Sequence, residues 1–261
     1  MKIIVVTDLD GCLLDPKTYD PGEAAEYIDE VTGSGIEIVF NSSKTRAEQE
    51  YYRRVWGLNN VFVSENGAAI YVPRGDDYDV VVKGVERSII ERRLSDLIER
   101  TRRQLLWLID MDPGKFSQIT NLPLDVSPLA LMREYSTLFH PLTGDRGFVE
   151  RVLYEIRRRG FIAHTGSGKI YVVTGNHNKG DAVRELRRLF GEMYGEYVLI
   201  GVGDGLNDLP MLLETEYGII LGNERLFMEL SRIKPREKLV YINGRGPSYW
   251  YRGLEIITRR L

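Results

Sequence analysis

Two aspartates, Asp8 and Asp10, follow an apolar run at the start of the chain and could do chemistry together. The run over residues 3–6 predicts a buried strand, and ligands in open α/β sheets bind beyond the carboxyl ends of the strands. Two carboxylates held close together repel each other unless a cation or a shared proton compensates. The spacing therefore favours either a metal ion beside a nucleophilic carboxylate or an acid–base pair. A plain acidic turn explains these residues alone equally well, because Asp and Gly are common in turns.

Three further polar clusters stand at the predicted ends of strands or at the start of a helix. They are Ser42 with Ser43, then Lys179, and then Asp204 with Asp208. Each alone has a plain explanation, since Ser42 could cap a helix, Lys179 could be a surface charge and residues 203–208 could be a turn. Together with the first pair they supply a nucleophile, a general acid, hydroxyl donors, a cation and carboxylates for Mg²⁺. That set suits phosphoryl transfer, in which charge on the phosphoryl oxygens must be stabilised.

The elements that carry these clusters alternate between strands and helices. Strands are predicted over residues 36–40 and 61–63, with a helix before each, and this rhythm predicts a parallel, right-handed, doubly wound sheet. Asp20 is predicted to cap the first helix, with Glu23 completing a capping box. Ala47, Tyr51 and Val55 are predicted to form the inward face of the second helix.

The rhythm is interrupted between the second and third polar clusters. A hairpin is predicted around residues 73–77, followed by one long charged helix over residues 85–108, with Ile90, Leu94, Leu97, Ile98 and Leu105 as its core stripe. A proline-punctuated stretch, a helix over residues 148–159 and two short strands complete this section. The alternation returns at Asn178, which is predicted to cap a helix with an apolar stripe. We therefore predict an α/β fold whose doubly wound parallel-sheet (Rossmann-like) core, residues 1–82 and 176–261, contains an inserted α+β domain over residues 83–175.

Composition excludes several classes of protein. The 35 basic and 38 acidic residues give a formal net charge of −3, which argues against nucleic-acid binding. A single cysteine, Cys12, excludes an intramolecular disulfide and a multi-cysteine zinc site. With no signal-peptide pattern and no long apolar run, we expect a cytoplasmic protein that does not bind membranes.

At the four polar clusters the sequence resembles the haloacid dehalogenase superfamily of phosphatases. The motifs occur in that superfamily's order, and they are Asp8-Leu9-Asp10-Gly11, Ser42, Lys179 and Gly203-Asp204-Gly205-Leu206-Asn207-Asp208. Cys12 departs from the pattern, because Thr is usual after the glycine. The resemblance implies that Asp8 is a nucleophile that forms an aspartyl-phosphate and that Asp10 is the acid and base. It also implies that Ser42 and Lys179 hold the phosphoryl group, and that Ser43, Asn207 and Asp208 support the site.

The same resemblance implies a cofactor and a cap. Mg²⁺ would be held by Asp8, the backbone carbonyl of Asp10 and Asp204. The insertion between the second and third motifs is where this superfamily places a cap domain that selects substrates.

Within the superfamily, several runs are similar to those of the mannosyl-3-phosphoglycerate phosphatases. They are residues 41–49, Ser64-Glu65-Asn66-Gly67, Arg133-Glu134-Tyr135-Ser136, and His164-Thr165-Gly166-Ser167 ahead of Asn178-Lys179-Gly180. This resemblance implies a small phosphorylated sugar-glycerate substrate. We expect a monomer or homodimer. The candidate substrate-binding residues are Lys44, Arg133, Thr165, Ser167 and Lys169. Arg133 could instead pair with a neighbouring glutamate, and residues 165–168 could be an ordinary turn.

Three other functions remain open at this point. One is a less selective sugar-phosphate or phosphoglycolate phosphatase with the same core. Another is a phosphomutase, which would return the phosphoryl group to a sugar. The third is a regulator that binds a phosphosugar without catalysis, which the full set of catalytic side chains disfavours.

Overall fold

The computed structural model describes residues 1–166 and 169–261, and within these ranges the chain forms twelve β-strands and eleven α-helices. The strands are β1 (Lys2–Thr7), β2 (Glu37–Asn41), β3 (Phe62–Ser64), β4 (Ala69–Arg74), β5 (Asp77–Val82), β6 (Leu105–Trp107), β7 (Ser136–Pro141), β8 (Ile162–Thr165), β9 (Tyr171–Thr174), β10 (Tyr197–Gly203), β11 (Tyr217–Leu221) and β12 (Leu239–Ile242). The helices are α1 (Gly22–Gly33), α2 (Arg46–Val55), α3 (Arg87–Arg93), α4 (Ser95–Thr101), α5 (Pro113–Thr120), α6 (Ser127–Leu131), α7 (Arg146–Arg158), α8 (Lys179–Tyr194), α9 (Leu209–Glu214), α10 (Glu224–Leu230) and α11 (Pro247–Thr258).

The chain divides into two compact units. The first unit contains Met1–Lys44, Gln49–Val82 and Asn178–Leu261, and the second contains Thr45–Glu48 and Lys83–His177. The functional roles assigned above to a core and an insertion remain predictions. None of the helices in the described part of the chain is long and apolar enough to span a membrane.

An eight-stranded sheet, in the order β12-β11-β10-β1-β2-β3-β4-β5, forms the centre of the first unit. Its strands from β12 to β3 are parallel, and β4 and β5 extend it as an antiparallel hairpin at one edge. Parallel strands with helical crossovers are buried on both faces, which explains the near-continuous apolar runs of β1, β10 and β11. The predicted α/β class with a doubly wound core is confirmed.

Helices cover both faces of this sheet. Ile4 and Val6 of β1 pack in one cluster with the apolar stripe of α8. Thr7, whose side chain points to the opposite face because side chains alternate along a strand, contacts Trp250 of α11. The predicted cap of α8 is confirmed, since the Asn178 side chain accepts hydrogen bonds from the first turn and Asp181 reciprocates.

Two local predictions about the first helices are wrong. Asp20 does not cap α1: its side chain accepts from Gly22 N over 2.8 Å in a turn, and the cap position is Pro21, which makes no side-chain hydrogen bond there. The predicted inward face of α2 is also wrong, because Val55 is 47% exposed whereas Tyr52 and Trp56 are buried. Large aromatic rings bury more apolar area than Ala or Val, and they determine the orientation of this helix.

The second unit contains a four-stranded antiparallel sheet in the order β6-β7-β9-β8. Val149, Val152, Leu153 and Ile156 of α7 are buried, as their spacing predicts. The single long helix predicted over residues 85–108 is wrong. Its place is taken by α3, α4 and β6, and Leu94 between the two helices has a backbone φ of −102° and ψ of 3°.

The predicted stripe of that long helix is nevertheless buried in one cluster of the second unit. A periodicity of three to four residues identifies which residues lie inward, but it does not show where a helix is interrupted. The break therefore escapes the sequence pattern.

Candidate active site

The loop after β1 brings the first two candidate aspartates to the carboxyl edge of the large sheet. Asp8 is buried and its backbone N–H donates to Val202 O of β10 over 3.0 Å. Gly11 has a φ of +73°, a conformation that favours glycine, and a Cβ there would lie 2.3 Å from Asp204 Oδ2. Glycine at this position therefore permits both the turn and the close approach of Asp204.

Three carboxylates converge at this edge. Asp8, Asp204 and Asp208 each offer an oxygen, and these oxygens all lie within 4.8 Å of one another. Asp208 is fully buried, and its Oδ2 accepts from the backbone N–H groups of Asp204 and Gly205 over 2.9 Å each. The loop that follows β10 thus folds around one of its own carboxylates, which holds Asp204 toward Asp8.

Lys179 lies between two of these carboxylates. It is fully buried at the start of α8, and its Nζ is 2.7 Å from Asp8 Oδ2 and 2.6 Å from Asp208 Oδ1. The carbonyl of Lys179 accepts from Asn41 Nδ2 at the end of β2 over 2.9 Å. The helix cap and this bond fix the backbone from which the ammonium group extends.

The electrostatics of the cluster follow from burial and from like charges. Burial by itself would lower the pKa of Lys179, but the carboxylates of Asp208 and Asp8 outweigh it and raise the pKa above its usual value. For Asp204, burial and the neighbouring Asp208 and Asp8 carboxylates together raise the pKa to about 8. A single lysine is therefore insufficient to compensate three carboxylates, and this donor set fits a hard divalent cation, which takes oxygen ligands.

Asp10 has a different environment. Its side chain is 36% exposed, and Lys44 Nζ lies 2.9 Å from its Oδ1. Lys44 is buried, with the rings of Tyr19 and Tyr52 at 5.4 and 5.6 Å from its ammonium group. The structure thus places Lys44, a candidate substrate-binding residue, against the candidate acid and base.

Ser42 and Ser43 follow β2, the neighbour of β1 in the sheet. Ser42 is fully buried; its N–H donates to Val63 O, and its carbonyl accepts from Asn66 N over 2.9 Å. Ser43 is partly buried. Both therefore lie just beyond the end of a strand adjacent to the Asp8 loop, as predicted.

The turn after β3 is a part of this site whose geometry the sequence does not reveal. Glu65, Asn66 and Gly67 have consecutive positive φ angles of 47°, 61° and 98°. A Cβ at Gly67 would lie 2.2 Å from Asn178 O, so the turn packs directly on the backbone before Lys179. Asn207, which is exposed, makes a long contact of 3.4 Å from its Nδ2 to Asn66 Oδ1. An Asn-Gly pair after a strand is the only local signal for such a turn.

Arg245, in the loop before α11, is a further residue that the sequence reading missed. Its Nε lies 3.3 Å from Asp204 Oδ2, and its side chain is 43% exposed. No sequence motif identifies Arg245, because it lies 41 positions from Asp204 in the sequence and contacts that carboxylate only in the folded chain.

The candidate residues of the second unit are placed less uniformly. Arg133 is buried, and its Nη1 donates to Ser136 Oγ over 3.0 Å. It lines a cavity of about 410 Å³ together with Glu86, Arg87, Ser88, Glu91, Glu134 and Tyr135. Thr165 and Lys169 are exposed, and Lys169 has a φ of +61°. Ser167 lies outside the described residues.

The sequence and the fold of this chain are similar to those of known proteins. The family model of the haloacid dehalogenase-like hydrolases matches residues 5–112 and 142–225. Glucosyl-3-phosphoglycerate/mannosyl-3-phosphoglycerate phosphatase from Methanococcoides burtonii is 34% identical over 266 residues, covering 96% of this chain and 95% of that protein. Mannosyl-3-phosphoglycerate phosphatase from Pyrococcus furiosus is 36% identical over 234 residues, covering 85% and 92%. A haloacid dehalogenase-like hydrolase from Bacteroides thetaiotaomicron superimposes over the full length of both chains with a TM-score of 0.72 at 17% identity.

The chain therefore belongs to the haloacid dehalogenase-like hydrolases. Its curated relatives place it, as an enzyme, among the phosphatases of that family. The resemblance stated from the four motifs is confirmed.

Proposed function

We propose that the chain is a Mg²⁺-dependent phosphatase that hydrolyses mannosyl-3-phosphoglycerate to mannosylglycerate and phosphate. In the first step a carboxylate oxygen of Asp8 attacks phosphorus, and the bond from phosphorus to the glycerate oxygen breaks while Asp10 donates a proton to that oxygen. In the second step water attacks the aspartyl-phosphate and gives up its proton to Asp10. Asp8 is thereby regenerated and phosphate is released.

The observation that carries this proposal is the distinct environment of the two aspartates. Asp8 is buried, with Oδ2 at 2.7 Å from Lys179 Nζ, so its carboxylate has a fixed direction. Asp10 is 36% exposed, so it can exchange a proton with solvent or substrate, and its contact with Lys44 orients the carboxylate. The reaction requires one carboxylate for nucleophilic attack and another for proton transfer, and these two environments suit those two roles.

The remaining residues of the cluster stabilise charge. Bound by Asp8, the Asp10 backbone carbonyl and Asp204, with Asp208 behind them, Mg²⁺ would supply the charge that lets a carboxylate approach an anionic phosphate. Lys179 adds a fixed positive charge, and the hydroxyl of Ser42 donates a hydrogen bond to a phosphoryl oxygen. Ser43 and Asn207 support this edge of the site.

The choice of substrate rests on the relatives. Two of them, from Pyrococcus furiosus and Pyrococcus horikoshii, are named mannosyl-3-phosphoglycerate phosphatases. Those from Methanococcoides burtonii and Persephonella marina are named for both the glucosyl and the mannosyl compound. These double names make glucosyl-3-phosphoglycerate a second candidate substrate of the same reaction.

In the second unit we propose that Arg133 binds the glycerate carboxylate. It is a buried cation at a cavity and is oriented by Ser136, and a guanidinium group matches a carboxylate in geometry. Thr165, Ser167 and Lys169 are proposed as weaker contributors to binding of the sugar. Alanine at Arg133 should raise KM for the phosphorylated sugar-glycerate and leave turnover of p-nitrophenyl phosphate nearly unchanged. The exposed Arg158 provides a matched control for loss of an arginine from the same unit.

The test of the whole proposal is phosphate release from a panel of compounds, with Mg²⁺ and with EDTA, for the wild-type enzyme and Asp8→Asn. The panel contains mannosyl- and glucosyl-3-phosphoglycerate, 3-phosphoglycerate, phosphoglycolate and hexose phosphates. We expect the two glycosylated compounds to have the highest kcat/KM, and activity to disappear in EDTA and in the variant.

Other outcomes separate the alternatives. Similar turnover of many phosphates would keep the chemistry and refute the substrate. Conversion of a hexose 1-phosphate into its isomer without free phosphate would indicate a mutase. Binding of these compounds without turnover by the wild-type protein would refute the phosphatase mechanism itself.

A further inference from the structure

A chain of hydrogen bonds runs from the C-terminal helix to the backbone of Asp8. Trp250 Nε1 of α11 donates to Thr7 Oγ1 over 3.0 Å, and the Thr7 hydroxyl donates to the carbonyl of Asp8 over 2.7 Å. Trp250 and Thr7 are both fully buried. Because an indole N–H can only donate, it occupies a lone pair of Thr7 and directs the hydroxyl proton toward Asp8.

The peptide group between Asp8 and Leu9 extends this chain to the carboxylate. Its carbonyl accepts from Thr7, and its N–H, on Leu9, donates to Asp8 Oδ1 over 2.7 Å. A peptide group is planar, so fixing the direction of its carbonyl also fixes the direction of its N–H. A bond made by Trp250 therefore affects the orientation of the Asp8 side chain.

The two carboxylate oxygens of Asp8 are thus held from two sides. Oδ2 contacts the buried ammonium group of Lys179 at 2.7 Å, and Oδ1 is held through the peptide that Thr7 and Trp250 restrain. Without the restraint on Oδ1, the carboxylate could turn while Oδ2 stays in contact with Lys179.

The start and middle of α11 fit closely against the same part of the sheet. Gly246 N, just before the helix, donates to Gly11 O in the Asp8 loop over 2.9 Å. A Cβ at Gly253 would lie 2.5 Å from Ile219 Cγ2 of β11. This contact of helix and strand leaves Trp250 little room to shift away from Thr7, so the indole is a fixed donor.

We propose that Trp250 is a positioning residue for Asp8, acting through Thr7 and the peptide group between Asp8 and Leu9. This inference rests on the proposed function, in which Asp8 is the nucleophile. Because Trp250 is fully buried, we expect it to act on the substrate only through Asp8, so its loss should affect kcat and leave KM nearly unchanged. It lies outside the four motifs and 243 positions from Thr7.

The test compares Trp250→Phe, Thr7→Val and the double variant with the wild-type enzyme on p-nitrophenyl phosphate at saturating Mg²⁺. Phe keeps most of the packing and removes the donor, and Val keeps the shape of Thr and removes the hydroxyl. We expect each single change to lower kcat about 5- to 10-fold, which corresponds to one net hydrogen bond, with KM within about twofold. Because both changes break the same chain, the double variant should be no slower than Thr7→Val, and Thr7→Ser should restore most of the rate.

A matched control exists in the second unit. There Trp107 Nε1 donates to Thr101 Oγ1 over 3.0 Å, and Thr101 Oγ1 donates to Leu97 O over 2.6 Å, so the same kind of chain ends inside a helix. Trp107→Phe should lower the melting temperature about as much as Trp250→Phe while kcat stays at the wild-type value. Comparing the two variants separates the effect of losing an indole hydrogen bond from the effect of losing the orientation of Asp8.

Several results would overturn the inference. They are a wild-type kcat in Trp250→Phe, losses in the single variants that multiply in the double variant, and an equal loss of kcat in Trp107→Phe. A wild-type enzyme that releases no phosphate would instead refute the proposed function. If Thr7→Val does not fold, the contrast of Trp250→Phe with Trp107→Phe and the rate of Thr7→Ser still decide the question.

Discussion

Replacing Lys179 by Met should destabilise the metal-free protein strongly, because it removes the single cation buried among the described carboxylates of the cluster. Its ammonium group makes contacts of 2.7 and 2.6 Å with Asp8 and Asp208, and both Lys179 and Asp208 are fully buried. Removing one partner of a buried ion pair costs about 3–5 kcal/mol. That is a large part of the roughly 5–15 kcal/mol by which a folded protein is stable.

The cost should depend on which charges remain. Asp208→Asn removes the other end of the pair, and the double variant Lys179→Met with Asp208→Asn leaves no buried charge at either position. We therefore expect the double variant to be more stable than Lys179→Met alone, since an unpaired buried carboxylate is the main penalty.

The cost should also depend on pH. Burial raises the pKa of Asp208 and the neighbouring Lys179 lowers it, so loss of Lys179 should move this pKa further above its value in the unfolded chain. The unfolded state then binds fewer protons, and the free energy of unfolding of the variant falls as the pH rises from about 4. Lys179→Met should thus lose more stability at pH 8.5 than at pH 5.5.

Urea unfolding in EDTA measures these quantities. Lys234→Met is a matched control, because Lys234 Nζ donates to the backbone carbonyls of Leu212 and Thr215, with a distance of 2.6 Å to the former. Its loss leaves no buried charge unpaired, so it should cost less than the loss of Lys179. Additive losses in the double variant, or a cost for Lys179→Met no larger than for Lys234→Met, would refute the view that one lysine compensates this cluster.

Three further predictions concern the same edge of the sheet. The pKa of Asp204 is about 8 in the metal-free protein and near 3.8 in the unfolded chain, so its proton stabilises the fold at low pH and this contribution is lost as the pH rises toward 8. The rise in melting temperature on adding Mg²⁺ should therefore be larger at pH 8.5 than at pH 5.5. An equal rise at both pH values would contradict this assignment. The half-exposed guanidinium group of Arg245 lies 3.3 Å from Asp204 and repels a metal ion there. Calorimetry at low ionic strength and pH 8.5 should therefore show that Arg245→Gln binds Mg²⁺ about 3- to 10-fold more tightly than the wild-type protein. Weaker binding would mean that Arg245 instead orders the site. Burial and the carboxylates of Asp204 and Asp8 raise the pKa of the Cys12 thiol, so it should react with a disulfide reagent such as DTNB only after unfolding, and rapid labelling of the native protein would show this to be wrong.

The parts of the site that local sequence predicts are those set by strand ends and helix caps. A short apolar strand must end where its polar residues begin, so Asp8, Ser42 and Asp204 could be assigned to one edge of the sheet. The capping box of Asn178 and Asp181 likewise fixes where α8 starts, and with it the position of Lys179. Strand ends and helix caps depend only on neighbouring residues, so these signals hold in any fold that contains the same strands and helices.

The parts that could not be predicted depend on contacts between distant segments. Trp250 belongs to none of the sequence motifs, and only the fold shows that its N–H meets Thr7. In α2, Gln49 is buried and donates to Val63 O, so a polar residue occupies an inward position that the pattern reserves for apolar ones. Lys44 shows the same effect, because its partner Asp10 lies in another loop.

The pairing of β1 with β10 has a consequence for how the protein folds. These neighbours lie at the centre of the large sheet, and their register joins Lys2 to Tyr197. During synthesis, all of Lys83–His177 leaves the ribosome before β10 does, so β1 lacks β10, one of its two neighbours in the sheet, until the second unit has been synthesised. Closing so long a loop costs only slightly more entropy than closing a shorter one, but non-local pairing slows folding. We therefore expect the central sheet to assemble late, and the exposed edge of β1 to be the part of the nascent chain most in need of protection from aggregation.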